Sequence, residues 1–202
     1  MKKNLFILPI LLMSLFLSSC RIKHDNNIFN EFQKTINNFE NYQCISNITV
    51  KHDKGDTFYK IKETFVKPDK FKLEIIEPKE SKGCIIICDG NKIFLKHPGI
   101  EQSVSLENIK TLDKELFVGY FFERLSLCEE PEILEEKIDE DEYIVFELDM
   151  TKKNSYRQTQ KVWINQKNFT PYKLVILDDN GSINFEVIYE EFNYDAETDE
   201  KI

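Results

Sequence analysis

Residues 159–194 read TQKVWINQKNFTPYKLVILDDNGSINFEVIYEEFNY, and their alternation decides the fold. Three apolar, β-branched or aromatic runs (159–165, 172–177 and 183–194) are separated by Asn165-Gln166-Lys167-Asn168 and by Asp178-Asp179-Asn180-Gly181-Ser182. Asn, Asp and Gly adopt the backbone angles of tight turns at low cost, so each break reverses the chain. Connections this short join antiparallel neighbours, because parallel strands need a crossover of a dozen residues or more.

The same pattern extends toward the N-terminus. Residues 132–137 and 142–150 are two more strands. Residues 105–127 contain no Pro and a single Gly, and Leu106, Ile109, Leu112, Leu116, Phe117, Tyr120, Phe121 and Leu125 recur at helical spacing. That pattern predicts two helices meeting near Thr111-Leu112-Asp113, the second apolar enough to require burial. Further back, residues 84–88, the turn Asp89-Gly90-Asn91 and residues 92–96 form a hairpin. The turn His97-Pro98-Gly99 follows it. Phe71, Leu73 and Ile75 alternate along one strand, Tyr59, Ile61 and Phe65 along another, and Ile48 and Val50 along a third, with a turn at Asp53-Lys54-Gly55-Asp56. Before these, Ile28, Phe32, Ile36 and Phe39 mark an amphipathic helix capped by Asn26 or Asn27.

Strands interrupted by helices imply an α+β domain with helices on one face of the sheet. Roughly nine or ten strands strain a flat sheet, so the sheet must curl. The expected architecture is a strongly curved antiparallel half-barrel over residues 28–194, with the apolar helices packed on its concave face. An acidic tail, residues 195–202, follows.

The N-terminus has a different chemistry. Lys2 and Lys3 precede an apolar run from Leu5 to Leu17, which has secretory length rather than bilayer-spanning length. It ends in Leu17-Ser18-Ser19-Cys20. Small residues before a Cys fit a narrow peptidase site, and the thiol is a nucleophile that can be acylated. Residues 1–19 are therefore expected to be a cleaved lipoprotein signal peptide. Cys20 is the expected lipid (palmitate) attachment site, and residues 20–27 a polar tether. Two acyl chains anchor stably, since each buried methylene contributes about 0.8 kcal/mol.

The formal charge is −9, and cleavage would remove two lysines. Such acidity opposes nucleic acid, whose phosphates must be neutralised by Lys and Arg, and opposes a domain lying on anionic lipid. No later apolar stretch reaches transmembrane length. Cys44, Cys84, Cys88 and Cys128 allow three disulfide pairings or four free thiols packed as small hydrophobes. Cys84 and Cys88 share a strand face roughly 13 Å apart at about 3.3 Å per residue, too far for a direct bond.

Nothing in the chain has the spacing of a catalytic centre. His24, His52 and His97 sit in no HExxH context and at no i, i+4 spacing from another ligand. No CxxC pair suggests a metal site, and no GxSxG elbow is present. Glu129-Glu130 and Glu135-Glu136 are acidic pairs of the kind glycosidases use, but at 31% charged residues such pairs read as solvated faces. Trp163 is either core or a ligand platform. No enzyme, cofactor or metal is expected.

Several motifs carry a resemblance. Trp163-Ile164-Asn165, Phe169-Thr170-Pro171-Tyr172-Lys173-Leu174, Asp179-Asn180-Gly181 and the run Val187 to Tyr194 look like the C-terminal strands of the LolA/LolB/RseB/LppX superfamily. The stretches Phe65-Val66-Lys67-Pro68-Asp69 and Cys88-Asp89-Gly90-Asn91 resemble its N-terminal hairpins. In lipobox, size, acidity and spacing the chain is similar to the GerS-like germination lipoproteins of spore-forming anaerobes.

That resemblance implies a non-enzymatic lipoprotein on the extracytoplasmic face of a membrane, in the intermembrane space of the developing spore. Its implied partner is a secreted N-acetylmuramoyl-L-alanine amidase that modifies cortex peptidoglycan, so that the cortex can be digested at germination. An open sheet edge is a plausible docking element, and also lets two copies form a homodimer by strand exchange. The other reading is a carrier holding a lipid or another hydrophobe in the concavity, which Leu116, Phe117, Tyr120, Phe121 and Phe122 are bulky enough to fill.

Overall fold

The computed structural model describes residues 26–90, 92–100, 104–107, 114–128 and 131–197. Helix α1 (Asn26–Asn38) leads into β1 (Asn41–Val50), β2 (Thr57–Val66), β3 (Lys70–Glu77), β4 (Ile85–Asp89), β5 (Lys92–Lys96) and β6 (Val104–Glu107). After the 3-10 turn Lys114–Leu116 comes α2 (Val118–Ser126). The chain then forms β7 (Glu132–Ile138), β8 (Asp141–Asn154), β9 (Arg157–Asn165), β10 (Pro171–Leu177) and β11 (Ile183–Tyr194).

All eleven strands form one sheet in the order β6-β5-β4-β3-β2-β1-β11-β10-β9-β8-β7. Every neighbouring pair is antiparallel, so two meanders are joined where β1 meets β11. Residues 159–194 lie in the β9–β10–β11 meander. Leu174 stands opposite both Val162 and Val187, which places all three on one face. The second turn closes on Asp178, whose carboxylate accepts N–H bonds from Asn180 (2.9 Å) and Ser182 (2.8 Å).

The sheet curls, as the reach of α2 requires. Phe117, at the start of α2, stacks on Phe71 of β3 with ring centroids 5.3 Å apart. Arg124, near its end, donates to the Asp149 carbonyl of β8. In a flat sheet β3 and β8 would lie six strand spacings apart, roughly 29 Å at about 4.8 Å each. A helix of nine residues is only about 13 Å long. The two walls must therefore rise around the helix. This is the half-barrel, with α1 and α2 on its concave face.

The main core lies between those helices and the sheet. On α1, Phe32 is fully buried, stacking on Phe146 of β8 (5.2 Å) and meeting Phe122 of α2 edge-on (5.8 Å). Each such aromatic side chain contributes roughly 1.5–3 kcal/mol through burial. The last carbonyls of α1 are capped from the sheet. Lys67 donates to Ile36 O (2.8 Å) and Asn37 O (3.3 Å), and its ammonium lies 3.9 Å from the centre of the Phe39 ring.

Two expectations change. Residues 104–107 are not helical but form β6, with Leu106 opposite Ile93 of β5. Leu106 stands three residues before Ile109 but also two after Val104, so it fits either period, and the open edge of the β4–β5 hairpin offers backbone partners that an isolated helical turn lacks. The expected helix junction at Thr111-Leu112-Asp113 lies outside the described residues. The β8–β9 hairpin is also longer than the apolar pattern implied, because its tip (residues 151–158) is polar and exposed on most sides.

Candidate functional site

Helix α2 plugs the concavity, and Gly119 sets how closely it can lie. A Cβ there would come within 2.9 Å of the Phe65 ring, so glycine is what lets the helix seat on β2. No side chain of the preceding residue caps the helix. Instead the Gly119 N–H donates to the Tyr42 hydroxyl (3.2 Å) from β1, satisfying one donor that a helix start leaves open.

Tyr42 in turn donates to Glu63 of β2, which also accepts from Ser46 (2.9 Å); the Cys44 thiol lies 3.6 Å from the Ser46 oxygen. Glu63 is 3% exposed, and its hydrogen-bond partners are hydroxyls rather than cations. Burial pushes its carboxyl above the usual range, against the pull of the two hydroxyl bonds. Burial, reinforced by the neighbouring Glu63, raises the Tyr42 phenol, the Tyr189 phenol and the Cys44 thiol well above their ordinary values. The result is a buried polar knot that ties α2 to β1, β2 and β11.

Two outer straps complete the seat. On one wall Tyr120 donates to the Asp69 carbonyl (3.2 Å) and Lys114 pairs with the Asp69 carboxylate (3.5 Å). On the other, Arg124 pairs with Glu115 (3.0 Å) and donates to Gln160 (3.2 Å), a fully buried side chain that itself donates to the Glu115 carbonyl (2.6 Å). Val118, Phe121, Phe122 and Leu125 are all buried, so these bulky residues fill most of the concavity. A cavity of about 310 Å³ remains at one end of the half-barrel, with Val50, Leu116, Ile176 and Phe185 as apolar lining and Lys51, His52, Arg157 and Asn184 among its polar lining. This is near the lower bound of roughly 300–1,000 Å³ for ligand pockets.

The residues singled out from the sequence are scattered. Cys20, His24 and Glu129-Glu130 lie outside the described residues. His52 lines the cavity, whereas His97 accepts a turn N–H from Gly99 (3.0 Å). Trp163 is 8% exposed, in a small second core on the convex face with Tyr143, Val145 and Val175. Its indole donates to Glu136 (2.7 Å), and Lys173 lies 3.9 Å from the ring centre. Cys44 and Cys88 are buried, Cys84 and Cys128 partly so, and all four thiols are free. Among the described residues no three His, Cys, Asp or Glu side chains gather as a metal site, and no helix is long and apolar enough to cross a membrane. Sequence reasoning missed Glu63, though strand parity marked it. It occupies the inward position between Ile61 and Phe65.

The comparisons with known proteins agree with this architecture. A family model described as sporulation protein YdcC-like matches residues 1–202. The sporulation protein YdcC of Bacillus subtilis (strain 168) is 19% identical over 201 residues, 99% of this chain and 59% of that protein. The chain thus spans less than two thirds of that relative's length. Among solved structures, one of the CwlD amidase from Clostridioides difficile in complex with the GerS lipoprotein matches at 31% identity and a TM-score of 0.53, covering 87% of this chain and 99% of the matched chain. An uncharacterised conserved protein from Thermus thermophilus shares the fold alone, at 12% identity and a TM-score of 0.55 over 86% of this chain and 88% of its own. A half-barrel plugged by an apolar helix, matched along its whole length by one family model, places this chain in the YdcC-like family of sporulation proteins.

Proposed function

We propose that this chain is a non-enzymatic, membrane-anchored lipoprotein that binds and supports a secreted N-acetylmuramoyl-L-alanine amidase during spore cortex modification. Cys20 carries the lipid and residues 1–19 are removed, so the half-barrel stands on the extracytoplasmic face of the membrane. The observation that carries the reading is the likeness, in sequence as well as fold, to the structure of the CwlD amidase in complex with the GerS lipoprotein. The site geometry supports it. The concavity is occupied by the protein's own helix, and its buried carboxyl is tied up in holding that helix, so the surfaces left for work are the sheet edges and outer faces. A homodimer formed by strand exchange at an open edge is compatible with this role.

The test is recovery of the full-length, tagged chain from sporulating cells in mild detergent, with partners identified by mass spectrometry. An amidase recovered in near-equal amount supports the reading. The cavity of about 310 Å³ with its apolar lining favours a second reading, a carrier of a lipid or another hydrophobe. Lipid released on denaturation, with no amidase recovered, would replace the first reading by the second.

A further inference from the structure

Among the described residues the sheet ends in two open edges, β6 and β7, and they differ in length and chemistry. β6 has four residues and β7 has seven. β7 pairs with β8 from Glu132↔Glu147 to Ile138↔Asp141 without a register shift and contains no proline, so its outer backbone offers an unbroken row of donors and acceptors. Alternate residues of β7 face the convex side, where Leu134, Val145, Trp163 and Lys173 form one cross-strand row. Within that row Val145 is 3% exposed and Trp163 8%, whereas Leu134 is 47% exposed. The buried row therefore runs to the edge and stops in solvent. One more strand would set a side chain roughly 4.5–5.5 Å from Leu134 and close it.

Charge selects what that strand can be. β7 carries Glu132, Glu135 and Glu136 against Lys137, and the turn after it adds Asp139 and Glu140. A second copy of β7 would bring like charges opposite one another, which destabilises a strand pair. A strand with an apolar residue opposite Leu134 and basic residues two positions to either side on the same face would cover Leu134 and stand against Glu132 and Glu136. We infer that the outer edge of β7 is a docking edge for an extended, basic segment of a partner protein, taken up by strand addition. This rests on the proposed amidase-binding role and names the surface that serves it.

The test is hydrogen exchange of the β7 amides in the mature lipoprotein in detergent micelles. It is measured alone, with the amidase, and with a synthetic lysine-rich peptide whose single valine is flanked on its own face by lysines two residues away on either side; the same peptide with glutamate in place of lysine is the control. The expected result is at least about tenfold slower exchange at alternate residues of β7 with the amidase and with the lysine peptide, and none with the control. Glu132→Lys combined with Glu135→Lys should weaken both effects at least tenfold. This pair leaves Glu136 in place on Trp163, and the unliganded exchange pattern is the control for folding. A lysine peptide that leaves β7 unchanged, or protects β6 instead, overturns the inference. So does an amidase complex in which β7 exchanges as in the free protein, or protection that appears on concentrating the lipoprotein alone. If no amidase complex forms, the binding role fails and the peptide result alone decides the edge.

Discussion

Glu63 carries most of the residue-scale chemistry in this protein. Its carboxyl is raised by burial, so the folded state holds the proton at pH values where the unfolded chain has released it. Stability from this group is therefore fully present below the ordinary carboxylate value and falls as pH rises through the raised folded value. Glu63→Gln keeps a side chain that can bond both Tyr42 and Ser46 but cannot ionise. It should flatten that part of the stability profile and be at least as stable as the parent at neutral pH. Urea denaturation midpoints from about pH 4 to pH 8 check this, and a parent slope retained in the variant would show that Glu63 is not its source. Gly119 tests the same contact sterically. Gly119→Ala places a methyl within 2.9 Å of the Phe65 ring, and the expected cost is about 1–3 kcal/mol. A variant as stable as the parent would mean that the α2–β2 contact relaxes freely.

At the scale of elements, the helices are held by groups from other elements more than by their own sequences. α1 has no basic residue in its last turn, and Lys67, at the end of β2, supplies the missing cation. Burial lowers the Lys67 ammonium, and Glu40, Glu123 and Asp195 act in the opposite direction. Lys67→Met keeps the stem over Phe39 and removes the donor, so it should cost about 1 kcal/mol. The loss should appear as faster hydrogen exchange confined to the last turn of α1. Uniformly faster exchange across the domain would instead assign Lys67 to global stability. Parity made the strands legible: the alternation around Trp163 and Leu174 predicted three strands in antiparallel register. The same logic failed at residues 104–107, where Leu106 fits either period and the decision lay with the open edge of β5. The polar knot was half legible, since the parity of β2 points Glu63 inward, but the hydrogen bonds it accepts from Tyr42 and Ser46 depend on how β1 and β2 lie under α2.

For the whole molecule, the proposed anchor at Cys20 is tested apart from the fold. Cys20→Ala should leave the half-barrel folded and move the protein out of the membrane fraction, with no incorporation of labelled fatty acid. A labelled variant would place the lipid elsewhere. Sequence alone determined most of the strands of the meanders, the curl demanded by so many strands and the acidity that opposes nucleic acid, because each follows from local pattern or composition. Tertiary structure decided what fills the concavity, since Phe121 and Phe122 could bury themselves only once both walls rose around α2. It also decided which strands lie at the edges, because β6 and β7 are neighbours in the chain yet end up at opposite ends of the sheet. Pairing of β1 with β11 brings together residues more than a hundred positions apart, and no local pattern encodes a contact at that distance.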